Sequence, residues 1–101
     1  MAIEFNEKKI REKLIVLYKK FIQQPESEEV KSNLIKFDRD FGGASTYNDI
    51  LKSQPISKDI EKALGGLIDI ALYGKGFRSK EECLSFAKEV LEDLEKSKGS
   101  S

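Results

Sequence analysis

The stretch from residue 60 to residue 72, IEKALGGLIDIAL, decides the fold. Its apolar residues recur at helical spacing almost all the way round, which predicts a helix in the centre of the molecule rather than on its surface. Ser57 is the predicted N-cap of this helix, and the glycines of the segment Gly74-Lys75-Gly76 end it. It is the third of four helices that the sequence predicts.

Three amphipathic helices accompany it. The apolar stripe of the first helix, which ends at Pro25, consists of Ile10, Leu14, Leu17 and Phe21. The second helix is capped by Ser27 and stopped by Gly42-Gly43, and its stripe consists of Val30, Leu34, Phe37 and Phe41. The fourth begins at the capping box Ser79-x-x-Glu82. Short connections favour antiparallel neighbours, so the predicted fold is an all-α, antiparallel four-helix bundle.

Two segments fall outside these four helices. Residues 44–54 predict an extra short helix between the second and third helices, with Thr46 as its cap. Residues 97–101 have nothing to bury and predict a flexible C-terminal tail. A chain of 101 residues has the length of one domain, which we place at residues 1–96.

Composition excludes several kinds of chemistry. The chain has no histidine and one cysteine, so a Ser-His-Asp triad, a Cys-His dyad and a Cys/His zinc site lack their residues. Eighteen basic and eighteen acidic side chains balance, which disfavours nucleic acid as a partner. We therefore predict no catalytic residue, no cofactor, no metal site and no enzymatic activity. The sequence shows neither a signal peptide nor a transmembrane stretch, so a cytoplasmic protein is expected.

Several residues have both a structural and a functional interpretation. Gly65-Gly66 indicates either the close approach of another helix or a hinge. Asp69 is expected on a narrow polar edge of the third helix or paired with a cation. Cys83 is expected to be a small apolar residue of the fourth helix rather than a nucleophile.

Two basic features carry further alternatives. Gly74-Lys75-Gly76-Phe77-Arg78 lacks the strand and the spacing of a phosphate-binding loop, so it is a plain connection or a weak anion site using Lys75 and Arg78. Lys9, Lys13 and Lys20 lie on one side of the first helix, with Lys8 and Lys19 farther round. They form a solvated face, or a face for an anionic membrane or an acidic partner.

The order of these features resembles the small immunity proteins that protect bacteria from pediocin-like (class IIa) bacteriocins. Three stretches carry the resemblance: the segment LIVLY at residues 14–18 before Pro25, the helix from Val30 to Phe41, and residues 60–94. In the third stretch, a Leu- and Ile-rich helix ends in ALYGK, and Phe77, a Ser-Lys-Glu-Glu helix start and a final Leu-rich helix follow.

The resemblance implies a cytosolic helical bundle that acts by binding. Its partner would be a bacteriocin-engaged sugar-transporter complex at the inner membrane face, held in a non-leaking state. The candidate partner-binding residues lie at the junction of the third and fourth helices and along the fourth: Lys75, Phe77, Arg78, Lys80 and Lys88. A monomer without a transmembrane segment is expected, either in the cytoplasm or peripheral to that membrane face. The alternative is a regulatory or phage-borne helical module that sequesters a protein partner.

Overall fold

The computed structural model describes residues 7–42 and 57–99, and every regular element within these ranges is an α-helix. The helices in chain order are α1 (Glu7–Gln23), α2 (Glu28–Gly42), α3 (Lys58–Gly65), α4 (Leu67–Ala71) and α5 (Lys80–Gly99). Only Gly66 separates α3 from α4, and together they correspond to the predicted third helix. The all-α helical bundle is confirmed. The extra short helix predicted in residues 44–54 lies outside the described residues.

Two pairs of neighbouring helices, α1 with α2 and α3–α4 with α5, run in opposite directions. Lys13 and Val16 of α1 face Phe37, near the end of α2, across one groove. The end of α1 faces the start of α2 across a second groove. Residues later in α3–α4 contact residues earlier in α5. Lys62 Nζ lies 3.0 Å from Glu89 Oε1, and the carbonyl of Asp69 accepts a hydrogen bond from Cys83. These pairs give α3–α4 and α5 an antiparallel arrangement.

The core is an apolar cluster to which all five helices contribute. Its buried residues are Ile10, Leu14, Ile15, Tyr18, Phe21, Val30, Leu34, Ile60, Ala63, Leu64, Leu67, Ile70, Ala71, Tyr73, Cys83, Ala87, Val90 and Leu94. The rings of Phe21 and Tyr73 meet edge to face with centroids 5.6 Å apart. Tyr18 is fully buried, and its hydroxyl donates a 2.6 Å hydrogen bond to the carbonyl of Ala63. This hydrogen bond satisfies the one polar group of the Tyr18 side chain inside the core.

The ends of the helices follow local sequence signals in most places. The amide of Val30 donates to Ser27 Oγ at 3.4 Å, as expected for an N-cap. The capping box before α5 is confirmed, because the amide of Glu82 donates to Ser79 Oγ at 3.2 Å and the amide of Ser79 donates to Glu82 Oε1 at 3.4 Å. Ser57 precedes α3, but its hydroxyl makes no capping hydrogen bond to the helix.

The third helix differs from its prediction as one continuous element, because it is interrupted at Gly66. This glycine has φ −93° and ψ −5°, outside ideal helical values, yet its amide still donates to the carbonyl of Lys62 at 3.1 Å. A Cβ at Gly66 would lie 2.2 Å from Phe86 Cε1 and 3.1 Å from the Tyr18 hydroxyl. Gly66 is therefore a packing position where α1 and α5 approach the third helix. Gly65 is exposed and has no such neighbour within 4 Å.

The last helix extends farther than the sequence analysis placed it. α5 runs to Gly99, so the backbone of residues 97–99 is helical where we predicted the start of a tail. Lys96 Nζ lies 3.2 Å from Glu92 Oε1 one turn earlier, and such a pair supports the end of a helix.

Candidate functional site

The predicted site surrounds the connection between α4 and α5, residues 72–79, which we call the α4–α5 turn. Gly74 has φ +74°, a left-handed conformation that glycine adopts without strain, and it reverses the chain after α4. The amide of Gly76 donates to the carbonyl of Leu72 at 3.1 Å and closes the turn. Lys75 and Phe77 therefore project from a compact turn. Phe77 is fully exposed, at 105% of its reference area, and Lys75 is exposed and forms no ion pair with the described residues.

Arg78 has structural partners in the fold. Its guanidinium lies over the ring of Phe86 with the carbon 4.5 Å from the ring centroid, a cation–π contact. Its Nε is 3.6 Å from Asp69 Oδ2, so Asp69 is both half-exposed and paired. Arg78 thus connects the start of α5 to α4. It is directed to these partners rather than to an anion beside Lys75.

Lys80 and Lys88 differ in their surroundings. Lys80 Nζ is 3.5 Å from Glu26 Oε1 and 5.7 Å from the centroid of the Tyr73 ring, so it bridges the α1–α2 connection and α5. Both ends of that ion pair are well exposed, and such pairs contribute little to stability. Lys88 is exposed on α5 and forms no ion pair with the described residues. Since it lies eight residues after Lys80, it is about 12 Å farther along the helix axis.

The structure therefore brings four of the five predicted residues together. Lys75, Phe77, Arg78 and Lys80 belong to the α4–α5 turn and the first residue of α5, whereas Lys88 stands apart.

A neighbouring surface on α2 was missed by the sequence analysis. Between α2 and α4 lies a groove of about 670 Å³, lined by apolar and basic side chains that include Ile35, Lys36, Arg39, Leu72 and Lys75. We call this surface the α2–α4 face. Ile35 and Leu72 are 39% and 43% exposed, high values for large apolar side chains. One sequence signal was available, because Ile35 follows the core residue Leu34 and must point away from it on a helix.

A second groove of about 470 Å³ separates α1 from α2. Its apolar lining includes Val16, Leu17 and Phe37, and Lys13 and Lys36 stand at its edge. Lys13 belongs to the basic row predicted on the first helix, so that row borders a groove rather than a purely polar face.

Two titratable groups of the described residues, Tyr18 and Asp38, have a shifted pKa. Burial, with a smaller contribution from Asp69, raises the pKa of the Tyr18 phenol far above its ordinary value, so the hydroxyl remains a hydrogen-bond donor. Burial also raises the pKa of the Asp38 carboxyl. Cys83 is fully buried, with Sγ 3.6 Å from the carbonyl oxygen of Asp69. Within residues 7–42 and 57–99, no three Cys, Asp or Glu side chains converge to hold a metal ion.

None of the helices in the described ranges has both the length and the apolar composition that crossing a bilayer requires. Comparison with known proteins adds no relative: no family model matches the sequence, no curated protein matches it, and no solved structure matches the fold.

Proposed function

We propose that this protein is a cytosolic immunity protein, which protects a bacteriocin-producing cell by binding a bacteriocin-engaged transporter complex at the inner membrane face. The observation that carries the proposal is the complete exposure of Phe77 on the α4–α5 turn beside Lys75. An aromatic side chain that buries nothing in the monomer is typical of a residue that anchors a partner. The turn lies in the carboxyl-terminal half of the chain, the half that the resemblance to the pediocin-like immunity proteins associates with recognition of the bacteriocin.

The roles of the five residues follow from their contacts. Phe77 would insert into the partner, and Lys75 and Lys88 would supply charged contacts because neither is engaged within the described residues. Arg78 and Lys80 would chiefly position the turn through Phe86, Asp69 and Glu26. The side chains of Arg78 and Lys80 are 38% and 61% exposed, so they also border the contact area.

A protection assay tests the proposal. The gene is expressed in a bacteriocin-sensitive Gram-positive strain, and the strain is challenged with a panel of pediocin-like peptides. We expect protection against one or two peptides. Phe77→Ala should lower the highest peptide concentration that the strain survives by about tenfold, because losing one interface anchor costs more than about 1 kcal/mol of binding free energy. Lys75→Ala should have a smaller effect in the same direction.

Matched controls come from α1. Val16→Ala removes another exposed apolar side chain, 49% exposed, and Lys13→Ala removes another exposed lysine without an ion pair in the described residues. Both should leave protection unchanged. Arg78→Ala is a poor first test, because the loss of its contacts with Phe86 and Asp69 would also lower stability.

Two results would contradict the proposal: full protection by a folded Phe77→Ala, Lys75→Ala double variant, or no protection by the unsubstituted protein against the whole panel. The second result would favour the alternative, a helical module that sequesters another protein. In that case a pull-down should recover a regulatory enzyme rather than transporter subunits.

A further inference from the structure

Most of the exposed apolar side chains of the described structure belong to adjoining elements. Five large hydrophobic side chains are exposed, and four of them, Ile35, Ile68, Leu72 and Phe77, belong to α2, α4 or the α4–α5 turn. Ile68 and Leu72 are one helical turn apart and so lie on the same side of α4. A Cβ at Gly76 would lie 3.2 Å from Leu72 Cβ, so the turn that carries Phe77 packs directly beside Leu72.

The charge of the α2–α4 face is strongly asymmetric. Four cations line it, Lys31, Lys36, Arg39 and Lys75, against the single acidic residue Glu28. Only Lys31 is engaged, at 3.9 Å from Glu28, whereas the other three form no ion pair with the described residues. Since the whole chain is formally neutral, this excess of three positive charges is balanced by acidic residues elsewhere in the chain.

We infer that the α2–α4 face and the α4–α5 turn form a binding surface for a lipid bilayer with anionic headgroups. Apolar side chains flanked by lysine and arginine are the composition that interfacial membrane binding uses. Stable attachment takes two contributions, here the insertion of Phe77 and its apolar neighbours and the attraction of three cations to the headgroups.

The cations of the α2–α4 face fit a bilayer better than they fit the centre of a protein–protein interface. Of the three cations that form no ion pair with the described residues, two are lysines, and lysine is depleted in the buried centre of protein–protein interfaces. An anionic leaflet attracts flexible lysines without requiring a fixed partner for each one. This inference goes beyond the proposed function, because it requires neither bacteriocin nor transporter. Phe77 and Lys75 belong to both proposals: they contact the bilayer when the chain is bound to the membrane alone, and the protein partner when the chain is bound to the complex.

The first test uses the absence of tryptophan from the chain. The variant Phe77→Trp has a single tryptophan, at the tip of the turn. With phosphatidylglycerol vesicles its fluorescence should shift to shorter wavelength, and the shift should vanish with phosphatidylcholine vesicles or at high salt. In the control variant Glu92→Trp the tryptophan replaces an exposed residue about 18 Å beyond Lys80 along α5. Its emission should remain that of a tryptophan in water.

The second test compares two charge variants by co-sedimentation with phosphatidylglycerol vesicles. Lys36→Gln, Arg39→Gln, Lys75→Gln removes the unpaired cations of the face and should lower the partition coefficient about a hundredfold, since each charge contributes about fivefold. Lys13→Gln, Lys19→Gln, Lys20→Gln removes the same charge from α1 and should change it by less than about threefold.

Any of three results would overturn the inference. The first is that the unsubstituted protein does not bind phosphatidylglycerol vesicles, and the second is that both triple variants lose binding equally. The third is that the Phe77→Trp variant sediments with the vesicles while its tryptophan emission remains that of a tryptophan in water. Because the vesicles contain no protein, none of these results bears on the protection assay, and the two proposals fail separately.

Discussion

The adjacent glycines of the third helix should respond in opposite directions to the same substitution. At Gly66, an alanine Cβ would lie 2.2 Å from Phe86 Cε1 and 2.5 Å from Phe86 Cζ, whereas carbon atoms in contact are normally about 3.5–4.0 Å apart. The ring must therefore move by more than an ångström. It is also held by Arg78, whose guanidinium lies 4.5 Å from its centroid. At Gly65, apart from its chain neighbours and the backbone of its own helix, no atom of the described residues lies within 4 Å of the added atom.

The magnitude follows from two opposing effects. Replacing a glycine by alanine inside a helix gains up to about 1 kcal/mol, a gain that applies to Gly65 in α3 and only in part to Gly66, which lies between α3 and α4. At Gly66, forcing an extra carbon into a packed site loses about 1–3 kcal/mol. Gly65→Ala should therefore raise the free energy of unfolding by up to about 1 kcal/mol, and Gly66→Ala should lower it by about 1 kcal/mol. The difference between the two variants therefore combines the steric loss at Gly66 with the larger helix gain at Gly65, and both make Gly66→Ala the less stable variant.

Thermal and urea unfolding followed by far-ultraviolet circular dichroism measure this difference. For a domain of this size, 1 kcal/mol corresponds to about 4–8 °C, so the melting temperature of Gly66→Ala should lie about 5–15 °C below that of Gly65→Ala. Adding Phe86→Leu should remove part of the penalty, with a coupling of about 0.5–3 kcal/mol. Equal melting temperatures, or no coupling to Phe86, would refute the packing role of Gly66. Either result would favour the alternative interpretation of Gly65-Gly66 as a hinge.

Three more predictions concern the remaining polar groups of the fold. Tyr18→Phe removes a buried donor and should lower the free energy of unfolding in urea by about 1–2 kcal/mol, whereas Tyr73→Phe should change it by less than about 0.5 kcal/mol. Arg11 Nε lies 2.9 Å from Asp59 Oδ2, and both side chains are largely buried. A double-mutant cycle with Arg11→Met and Asp59→Asn should therefore give a coupling free energy of about 1–3 kcal/mol. Losses of stability that simply add would contradict a direct ion pair. Burial raises the pKa of Asp38, so the folded protein holds the carboxyl proton of Asp38 more tightly than the unfolded chain does. Once the pH exceeds the raised pKa, the ionised carboxylate lowers the stability of the folded state. Asp38→Asn should therefore be more stable than the unsubstituted protein at about pH 7 and equally stable at about pH 2; the opposite trend would contradict a raised pKa of Asp38.

Local signals predicted the helices and most of their ends. The capping box at Ser79 and the cap at Ser27 depend only on residues three positions away, so the sequence contains everything that determines them. The break at Gly66 is different. Its cause is a ring from α5 and a hydroxyl from α1, and neither neighbour can be identified from the glycines themselves.

Only part of the candidate site could likewise be predicted from the sequence. An exposed Phe77 in a glycine-containing turn could be expected from the sequence, because such a turn has little apolar surface to cover it. The partners of Arg78 could not, since Asp69 and Phe86 approach it only after α4 and α5 pack together. For the same reason the α2–α4 face escaped prediction: it combines a helix from the first half of the chain with one from the second.

The complete burial of Cys83 has a chemical consequence. The thiol lies inside the contact between α4 and α5, with its sulfur 3.6 Å from the carbonyl oxygen of Asp69, and presents no surface to solvent. A reagent can reach it only when the start of α5 separates from α4, so its alkylation rate measures how often these two helices part. Oxidants are excluded in the same way, and two folded molecules cannot become joined through a disulfide at this position.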